Sequence, residues 1–324
     1  MILICSKEDD PHTVKVAAIL SSRGEDYFVF DTSTFPGALS LTGSFGNGSS
    51  ELRLQTSTGQ SIRLSEIKSF WWRRPQPIGI DPRIEDPQSR AFAFQECVSA
   101  LYGALECCDA LWVNEINRDT TAEYKPLQLK LARAHGFQIP QTLITNAPEE
   151  VLDFWNRHDR KVVYKAFNQR GLIWRPTRLL TEEDFSVLHN LRHAPVIFQA
   201  VVPGIRDVRV TVIGETVFAT EFDIEQLDNV DYRMAMTEIP CRPHELPPEL
   251  KQTILAFMNT LGLEYGGIDF RLTRDGQYIF FEINPDGEFM YLEDRTGQPI
   301  AAAMADHLSV ATATRPGRKP TLAT

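Results

Sequence analysis

Two carboxylates and a carboxamide late in the sequence are spaced so that a β-hairpin would bring them together. Asp269 lies in one apolar stretch, Glu282 and Asn284 lie in the next, and the turn dipeptide Asp275-Gly276 separates them. If this dipeptide forms a two-residue type I′ turn, Asp269 lies opposite Glu282 and Asn284 points to the same face. Oxygen ligands of this kind suit Mg²⁺, which completes its coordination with water and nucleotide phosphates. The spacing therefore predicts a magnesium site on the hairpin.

The hydrophobic pattern of the hairpin supports this register. It makes one face wholly apolar, with the pairs Ile268–Ile283, Phe270–Phe281 and Leu272–Ile279. The alternative is an ordinary acidic strand pair facing solvent. The irregular stretch that begins at Pro285 and Gly287 favours the metal site, because an ordinary strand end does not need it.

The elements upstream of this hairpin alternate between strands and helices over residues 1–120, which is typical of an open α/β sheet. Strands are predicted at 2–6, 27–31, 64–72 and 111–114, and helices at 12–22 and 89–108. The first turn, residues 6–11, contains three acids and no glycine, so nucleotide binding there is not expected. Arg73 and Arg74 follow an aromatic strand, and they either pair with nearby acids or face an anionic substrate.

A domain boundary is predicted near 118–125, because the strand and helix pattern changes there. A single helix is then predicted over 121–135, closed by Gly136, with Pro126 in its first turn. A strand and turn follow at 138–146 and lead into a helix that runs through Trp155.

Composition and charge argue against several classes of protein. The 324 residues are 43% hydrophobic and 23% charged, which is ordinary globular usage. The net charge of -10 argues against a protein that coats nucleic acid or binds membranes through a polybasic segment. No apolar run approaches the ~18 residues of a membrane span, and the first residues do not predict a signal peptide. The five cysteines lack zinc-ligand spacing, so reduced thiols and a cytoplasmic location are expected.

The hairpin is similar to the last sheet of the ATP-grasp carboxylate ligases, in which an acid followed by Glu-x-Asn binds magnesium. The resemblance implies ATP and Mg²⁺, with two ions, as cofactors and Asp269, Glu282 and Asn284 as the metal ligands. It implies that Lys165 binds the ATP phosphates and that segment 166–174 takes the place of the family's phosphate-covering loop. It also implies that adenine binds to the backbone of the strand linker formed by Gln199, Ala200, Val201 and Val202.

Arginine and metal together stabilise an acyl phosphate best, because a guanidinium can bind two phosphate oxygens at once. Three arginines are candidates for this role in such a ligase: Arg209, Arg233 and Arg271. A structural salt bridge is the alternative role for each. Further polar residues are candidates for substrate binding: Arg73, Arg74, Asp207, Asp231 and Glu288.

Three longer motifs narrow the resemblance to the microviridin-type maturases of ribosomal peptides, the graspetide synthetases. They lie at 71–75, 205–214 and 282–300, and the resemblance extends to about Leu308. It implies the ATP-grasp fold, with an N-terminal open α/β (pre-ATP-grasp) domain followed by two α+β subdomains that clamp ATP. The implied divisions are 1–120, 121–202 and 203–310, and the tail at 311–324 is expected to be disordered.

The resemblance implies a macrocyclase acting on a ribosomal precursor peptide. Such an enzyme activates Asp or Glu side chains as acyl phosphates and crosslinks them to Ser or Thr hydroxyls or to Lys amines. Family members recognise a leader segment of the precursor and are commonly homodimers. One alternative is an ATP-grasp ligase that joins free amino acids or modifies a protein terminus, and a second is a non-catalytic nucleotide- or peptide-binding module.

Overall fold

The N-terminal region is built on a parallel sheet. The computed structural model of the protein describes residues 1–47, 49–167, 176–225 and 239–310. The first elements are β1 (Ile2–Cys5), α1 (Pro11–Ser22), β2 (Tyr27–Phe30), β3 (Leu39–Gly46), β4 (Ser49–Thr56), β5 (Ser61–Arg63), β6 (Ser69–Trp72), α2 (Pro87–Leu105), β7 (Leu111–Val113) and α3 (Ile116–Ala122). Strands β2-β1-β6-β7 pair in parallel in that order, and β3-β4-β5 form a separate antiparallel sheet. The predicted open α/β sheet is therefore confirmed.

Two antiparallel sheets follow. Their elements are α4 (Lys125–Ala134), β8 (Thr142–Thr145), α5 (Pro148–Arg157), β9 (Val162–Lys165), β10 (Arg178–Leu179), β11 (Val196–Ala200), β12 (Arg206–Ile213), β13 (Thr216–Asp223), β14 (Cys241–Pro243), α6 (Pro248–Leu261), β15 (Tyr265–Leu272), β16 (Tyr278–Asn284), α7 (Met290–Thr296) and α8 (Ile300–Ser309). The first sheet has the order β10-β9-β11-β8, and the second has the order β14-β13-β12-β15-β16. Strand β16, which carries Glu282 and Asn284, is therefore an edge strand.

The prediction of a single helix over 121–135 is wrong, because the structure has two helices that meet near Tyr124. Helix α3 ends at Ala122 and helix α4 begins at Lys125, with Tyr124 in an extended conformation between them. A helix running through Pro126 would need an amide there to bond to the carbonyl group of Ala122, and proline has none. That carbonyl group instead accepts a hydrogen bond from the side chain of Gln128.

The β15–β16 hairpin has the predicted register at the end that carries Asp269 and Glu282 and a different one near its turn. Asp269 pairs with Glu282 as predicted, but Phe270 pairs with Phe280 rather than Phe281 because of a β-bulge. The predicted two-residue turn is also wrong. The chain turns through residues 274–276, with the amide of Thr273 bonded to the carbonyl of Gln277 and with Gly276 at φ 81°. Three-residue hairpin loops commonly end in such a left-handed glycine.

The apolar cores show which regions pack together. One core joins the parallel sheet and α1 to α7, α8 and the five-stranded sheet. A second core covers the other face of the five-stranded sheet with α6, and it includes Ala122, Ala132 and Phe137. The sheet that contains Lys165 has a separate core, formed mainly with α5. The segment 121–139, predicted as part of the central subdomain, thus packs against the C-terminal sheet.

No helix in the described ranges is both long enough and apolar enough to cross a membrane. The tail at 311–324, predicted to be disordered, lies outside the described residues.

Candidate active site

Asp269, Glu282 and Asn284 converge on one face of the β15–β16 hairpin. The side-chain amide nitrogen of Asn284 lies 3.5 Å from Oδ2 of Asp269 and 3.4 Å from Oε1 of Glu282. Glu282 is only 8% exposed. Two carboxylates held so close in a partly buried site repel each other unless positive charge lies beside them.

Two cationic side chains supply this positive charge in the structure. Nη1 of Arg209 lies 2.8 Å from Oδ2 of Asp269, and Nζ of Lys125 lies 2.8 Å from Oε2 of Glu282. The two carboxylates and two cations therefore balance in formal charge. Sequence reasoning missed Lys125. A signal was available, because a lysine in the first turn of a helix opposes the helix dipole unless an anion compensates it.

Arg209 reaches this position because two glycines make room for it. A Cβ atom at Gly267 or at Gly287 would collide with Nη2 of Arg209. Gly267 lies in β15, two residues before Asp269, and Gly287 lies just beyond the end of β16. The guanidinium group thus lies against both Gly267 and Gly287, and Arg209 is only 6% exposed.

The donor set suits a hard divalent cation. Two carboxylates and a carboxamide oxygen match the preferences of Mg²⁺. Rotating the Asn284 amide about its terminal bond would present its oxygen to a bound cation in place of its nitrogen. In the part of the chain that the structure describes, no group of three or more His, Cys, Asp or Glu side chains gathers elsewhere as an alternative metal site. We therefore take Asp269, Glu282 and Asn284 as the residues that would hold Mg²⁺.

Arg271 forms a salt bridge with Asp207. Arg271 lies two residues after Asp269 in β15, and Asp207 lies two residues before Arg209 in β12. Nε and Nη2 of Arg271 lie 2.7 and 2.8 Å from the two carboxylate oxygens of Asp207, and its Nη1 donates to the carbonyl oxygen of Val202 at 3.1 Å. The guanidinium group also lies over the ring of Phe281 at 5.2 Å. Arg271 thus forms the kind of salt bridge named above as its alternative role, while Arg209 is the arginine that faces the carboxylate pair.

The other predicted phosphate ligands lie partly outside the described residues. Lys165 is half-buried at the end of β9, where it pairs with Ile197. The loop predicted to cover the phosphates falls mostly within 168–175, and both Asp231 and Arg233 fall within 226–238; these ranges lie outside the described residues.

The strand linker is largely engaged within the protein. Gln199 is 4% exposed, so its side chain lies in the interior. The amide of Ala200 donates to the carbonyl of Gln141, and the amide of Val201 donates to the carbonyl of Lys161. An adenine contact at this linker therefore needs backbone groups other than these two amides.

At the edge of the parallel sheet, only one of the two predicted arginines faces solvent. Arg73 is 1% exposed and donates from Nη1 to the carbonyl oxygen of Asp286 at 2.7 Å. Its prediction as a substrate ligand is corrected, because the side chain supports the backbone beyond β16 from the interior. Arg74 is half-exposed and forms a 2.9 Å salt bridge with the equally exposed Glu288.

A buried histidine holds the segment beyond the metal strand. Nε2 of His12 accepts hydrogen bonds from the amides of Phe289 and Met290 at 2.9 and 3.2 Å, so this nitrogen carries no proton. Burial lowers the pKa of His12 below its ordinary value, although the adjacent Asp10 acts in the opposite direction. Burial alone would raise the pKa of Asp10, but its hydrogen bond with His12 and the charge of Arg73 outweigh this and hold the pKa well below the usual range.

Comparison with known protein families covers nearly the whole chain. The model of the MvdD pre-ATP-grasp domain matches residues 1–120, and the model of the RimK-like ATP-grasp domain matches residues 122–308. The chain belongs to the RimK-like ATP-grasp family. No curated protein matches this ATP-grasp ligase by sequence.

Several solved structures are similar to this ATP-grasp ligase over almost its whole length. It is 30% identical to the macrocyclase MdnC of Microcystis aeruginosa MRC, solved with its precursor peptide MdnA; the match has a TM-score of 0.85 and covers 96% of this chain and 99% of that one. It is 29% identical to a ligase of Chryseobacterium gregarium associated with ribosomally synthesised, modified peptides and solved with ADP, a leader and a core peptide (TM-score 0.84; 95% and 96% covered). It is also 29% identical to the ATP-grasp ligase PsnB, solved with a minimal precursor, Mg and ADP (TM-score 0.75; 95% and 96% covered). These matches confirm the predicted fold and place the chain among the peptide maturases.

Proposed function

We propose that this protein is an ATP-dependent macrocyclase that crosslinks side chains of a ribosomal precursor peptide. The observation that carries the proposal is the carboxylate pair Asp269–Glu282, completed by Asn284 and balanced by Arg209 and Lys125. With Mg²⁺ bound, such a site would neutralise a polyphosphate and help to hold it in line with an acceptor carboxylate. Similarity along the whole chain to ligases solved with precursor peptides supports the choice of substrate class.

The reaction has two balanced steps. In the first, a carboxylate oxygen of a peptide Asp or Glu attacks the γ-phosphorus of ATP, and ADP leaves with the electrons of the broken P–O bond. In the second, a Ser or Thr hydroxyl or a Lys amine of the same peptide attacks the carbonyl carbon, loses its proton, and displaces inorganic phosphate. The product is an ester or an amide, and the peptide has lost one water per crosslink.

The proposed roles of the residues follow from their charge and placement. Mg²⁺ held by Asp269, Glu282 and Asn284, in two ions, would neutralise charge on the phosphates. Arg209 lies beside the same carboxylates and would bind the oxygens of the transferred phosphoryl group. Lys165 and Arg233 are proposed to bind the phosphates as well. Residues 1–120, 121–202 and 203–310 are the proposed domain divisions.

The exposed salt bridge between Arg74 and Glu288 is the proposed contact with the peptide. Both side chains are half-exposed, and Glu288 follows the metal strand closely in sequence. An acidic side chain of the peptide would compete with Glu288 for Arg74, and this competition would draw the carboxylate towards the metal site. A leader segment of the same peptide is proposed as the second contact, as the leader bound in the Chryseobacterium gregarium complex suggests.

We also propose that the protein is a homodimer and acts in the cytoplasm. The first half of α2 leaves Phe92 and Phe94 at 65% and 41% exposure, and a second copy would cover this apolar surface. The five cysteines are all free thiols, as expected in a reducing compartment. Light scattering of the purified protein tests the dimer, and a monomeric mass at micromolar concentration would contradict it.

Intact mass spectrometry tests the activity itself. A precursor peptide encoded beside the gene, incubated with the protein, ATP and Mg²⁺, should lose the mass of one or more waters with matching ADP release. An ATP-free reaction is the control. If ADP is instead released with free amino acids, and the peptide mass is unchanged, the alternative ligase that joins free amino acids replaces the macrocyclase.

A further inference from the structure

The outer edge of strand β16, which carries Glu282 and Asn284, is held at Ile283 by a side chain. Strand β16 lies at the edge of its sheet, so no further strand of that sheet pairs with its outer side. The amide of Phe280 on this side donates to the backbone carbonyl of Gln138. At Ile283, the side chain of Gln128 from helix α4 takes the place of a neighbouring strand. The amide of Ile283 donates to Oε1 of Gln128 at 3.1 Å, and Nε2 of Gln128 donates to the carbonyl oxygen of Ile283 at 2.8 Å.

The position of Ile283 makes this contact relevant to the cation site. Ile283 lies between Glu282 and Asn284, two of the three predicted ligands, and its own side chain is fully buried on the opposite face of the sheet. The backbone at Ile283 therefore sets where both ligand side chains leave the strand. An edge strand whose outer side is unsupported can bend away from its sheet, and such movement at Ile283 would separate the ligand oxygens.

Gln128 is held firmly enough to act in this way. It is 1% exposed, and its Nε2 also donates to the carbonyl oxygen of Ala122 at 2.5 Å. Its orientation is unambiguous, because its oxygen faces an amide while its nitrogen faces two carbonyl groups. Lys125, one turn earlier on the same helix, contacts Glu282 directly, so α4 meets the metal strand at both the backbone and a ligand.

A second buried side-chain amide, that of Asn114, binds the backbone on the other side of Asn284. Nδ2 of Asn114 donates to the carbonyl oxygens of Pro285 and Tyr265, both at 2.9 Å. Its Oδ1 accepts from the amide of Tyr265 at 2.9 Å. Asn284 is thus flanked by two backbone positions, each held by a carboxamide from outside the sheet.

We propose that Gln128 is a positioning residue for the cation site: it fixes the backbone between Glu282 and Asn284 so that the oxygens of both side chains face the cation site. The role rests on the proposed function only in that the ion is taken to bind together with a nucleotide. Gln128 itself touches neither the ion nor the phosphates. Its contribution is to reduce the movement of ligands that would otherwise have to be ordered when the ion binds.

The test compares binding of Mn²⁺ with ADP in the wild type, in Gln128→Met and in a matched control. Mn²⁺ replaces Mg²⁺ because electron paramagnetic resonance counts free and bound ion directly. The control is Gln298→Met, since Gln298 also uses its amide on a backbone group of the same sheet, donating to the carbonyl oxygen of Ala219 in β13 at 3.1 Å. That strand lies three positions from β16 in the sheet order.

The expected result is a loss of about 10-fold to 100-fold in Mn²⁺ affinity for Gln128→Met, the usual effect of removing a group that supports metal ligands. Gln298→Met should bind Mn²⁺ as the wild type does. Hydrogen exchange should also become faster in the segment 279–289 of Gln128→Met, because the amide of Ile283 loses its acceptor. Unchanged Mn²⁺ affinity in folded Gln128→Met would overturn the proposal, and so would equal losses in both variants.

A second variant keeps the test decisive if Gln128→Met does not fold. Gln128→Asn keeps a buried hydrogen-bonding amide that methionine lacks, but it is one methylene shorter, so it cannot span both groups of Ile283 and leaves only a small cavity. It should show the same loss of affinity. The measurement needs no peptide: if Gln128 variants lose Mn²⁺ affinity while no precursor is crosslinked, positioning stands and the substrate assignment fails. If the wild type binds no Mn²⁺ with ADP, the cation site and the positioning role both fail.

Discussion

Nζ of Lys125 lies 2.8 Å from Oε2 of Glu282, so helix α4 places a positive charge on one of the predicted magnesium ligands. Replacing Lys125 with methionine leaves the site more negative by one charge. We expect free Mn²⁺ to bind more tightly and ADP without metal to bind more weakly, each by about fivefold or more, because ~1 kcal/mol is the upper limit for an exposed pair and this pair is largely buried. Calorimetric titration of each ligand separately measures both constants. Changes of the same sign would show that Lys125 does not act through its charge.

Glu282→Gln should abolish turnover while leaving the fold intact. The substitution keeps the size of the side chain and leaves the apolar face of the hairpin unchanged, but it removes a charged oxygen ligand. We expect the rate to fall by at least about 100-fold, as it does when one preorganised electrostatic group is removed. The control is Glu264→Gln, because Glu264 lies immediately before β15 and contacts His307 instead. A Glu282→Gln enzyme as fast as that control would refute the metal assignment.

Arg271 and Asp207 should behave as a coupled structural pair. Each single variant, Arg271→Met or Asp207→Asn, leaves the partner's charge buried without compensation, which costs ~3 kcal/mol or more. The double variant removes both charges and should regain a large part of this loss. Thermal denaturation of the four proteins gives the coupling. Additive effects on stability, with a complete loss of turnover in Arg271→Met, would return Arg271 to a catalytic role.

Stability should fall as the pH drops below the ordinary pKa of histidine, about 6.5. The folded-state pKa of His12 is lowered, mainly by burial, so the unfolded chain takes up a proton at a higher pH than the folded protein does. Protonation at Nε2 would also break the bonds to the amides of Phe289 and Met290. Melting temperatures from pH 8 to pH 5 should decline more steeply in the wild type than in His12→Gln. Parallel curves would show that His12 does not titrate with unfolding.

The pairing of Asp269 with Glu282 could be predicted from the sequence even though the turn was predicted wrongly. The three-residue loop shifts the pairing of the two strands by one residue relative to the predicted register. The bulge at Phe281 reverses this shift, so Asp269 pairs with Glu282. The apolar alternation selects the correct register at the buried end of a hairpin, where a slip would expose the core. It has little influence at the exposed turn.

The supporting residues could not be predicted in the same way. Gln128 and Ile283 are 155 residues apart in sequence, and Asn114 and Pro285 are 171 apart. No local periodicity encodes contacts at such separations, because they depend on how α4 and the N-terminal sheet pack against β16. Arg73 shows the same limit: its position after an aromatic strand suggested a ligand site, but packing with His12 and Asp286 places it in the interior.

The most direct test of the account follows an oxygen atom. A precursor peptide whose Asp and Glu carboxylates carry ¹⁸O is incubated with the protein, ATP and Mg²⁺, and the products are analysed by mass spectrometry. If the carboxylate is activated as an acyl phosphate, each crosslink should transfer one ¹⁸O atom from the peptide to inorganic phosphate. Crosslinked peptide with unlabelled phosphate, or with the label in AMP, would contradict the proposed mechanism.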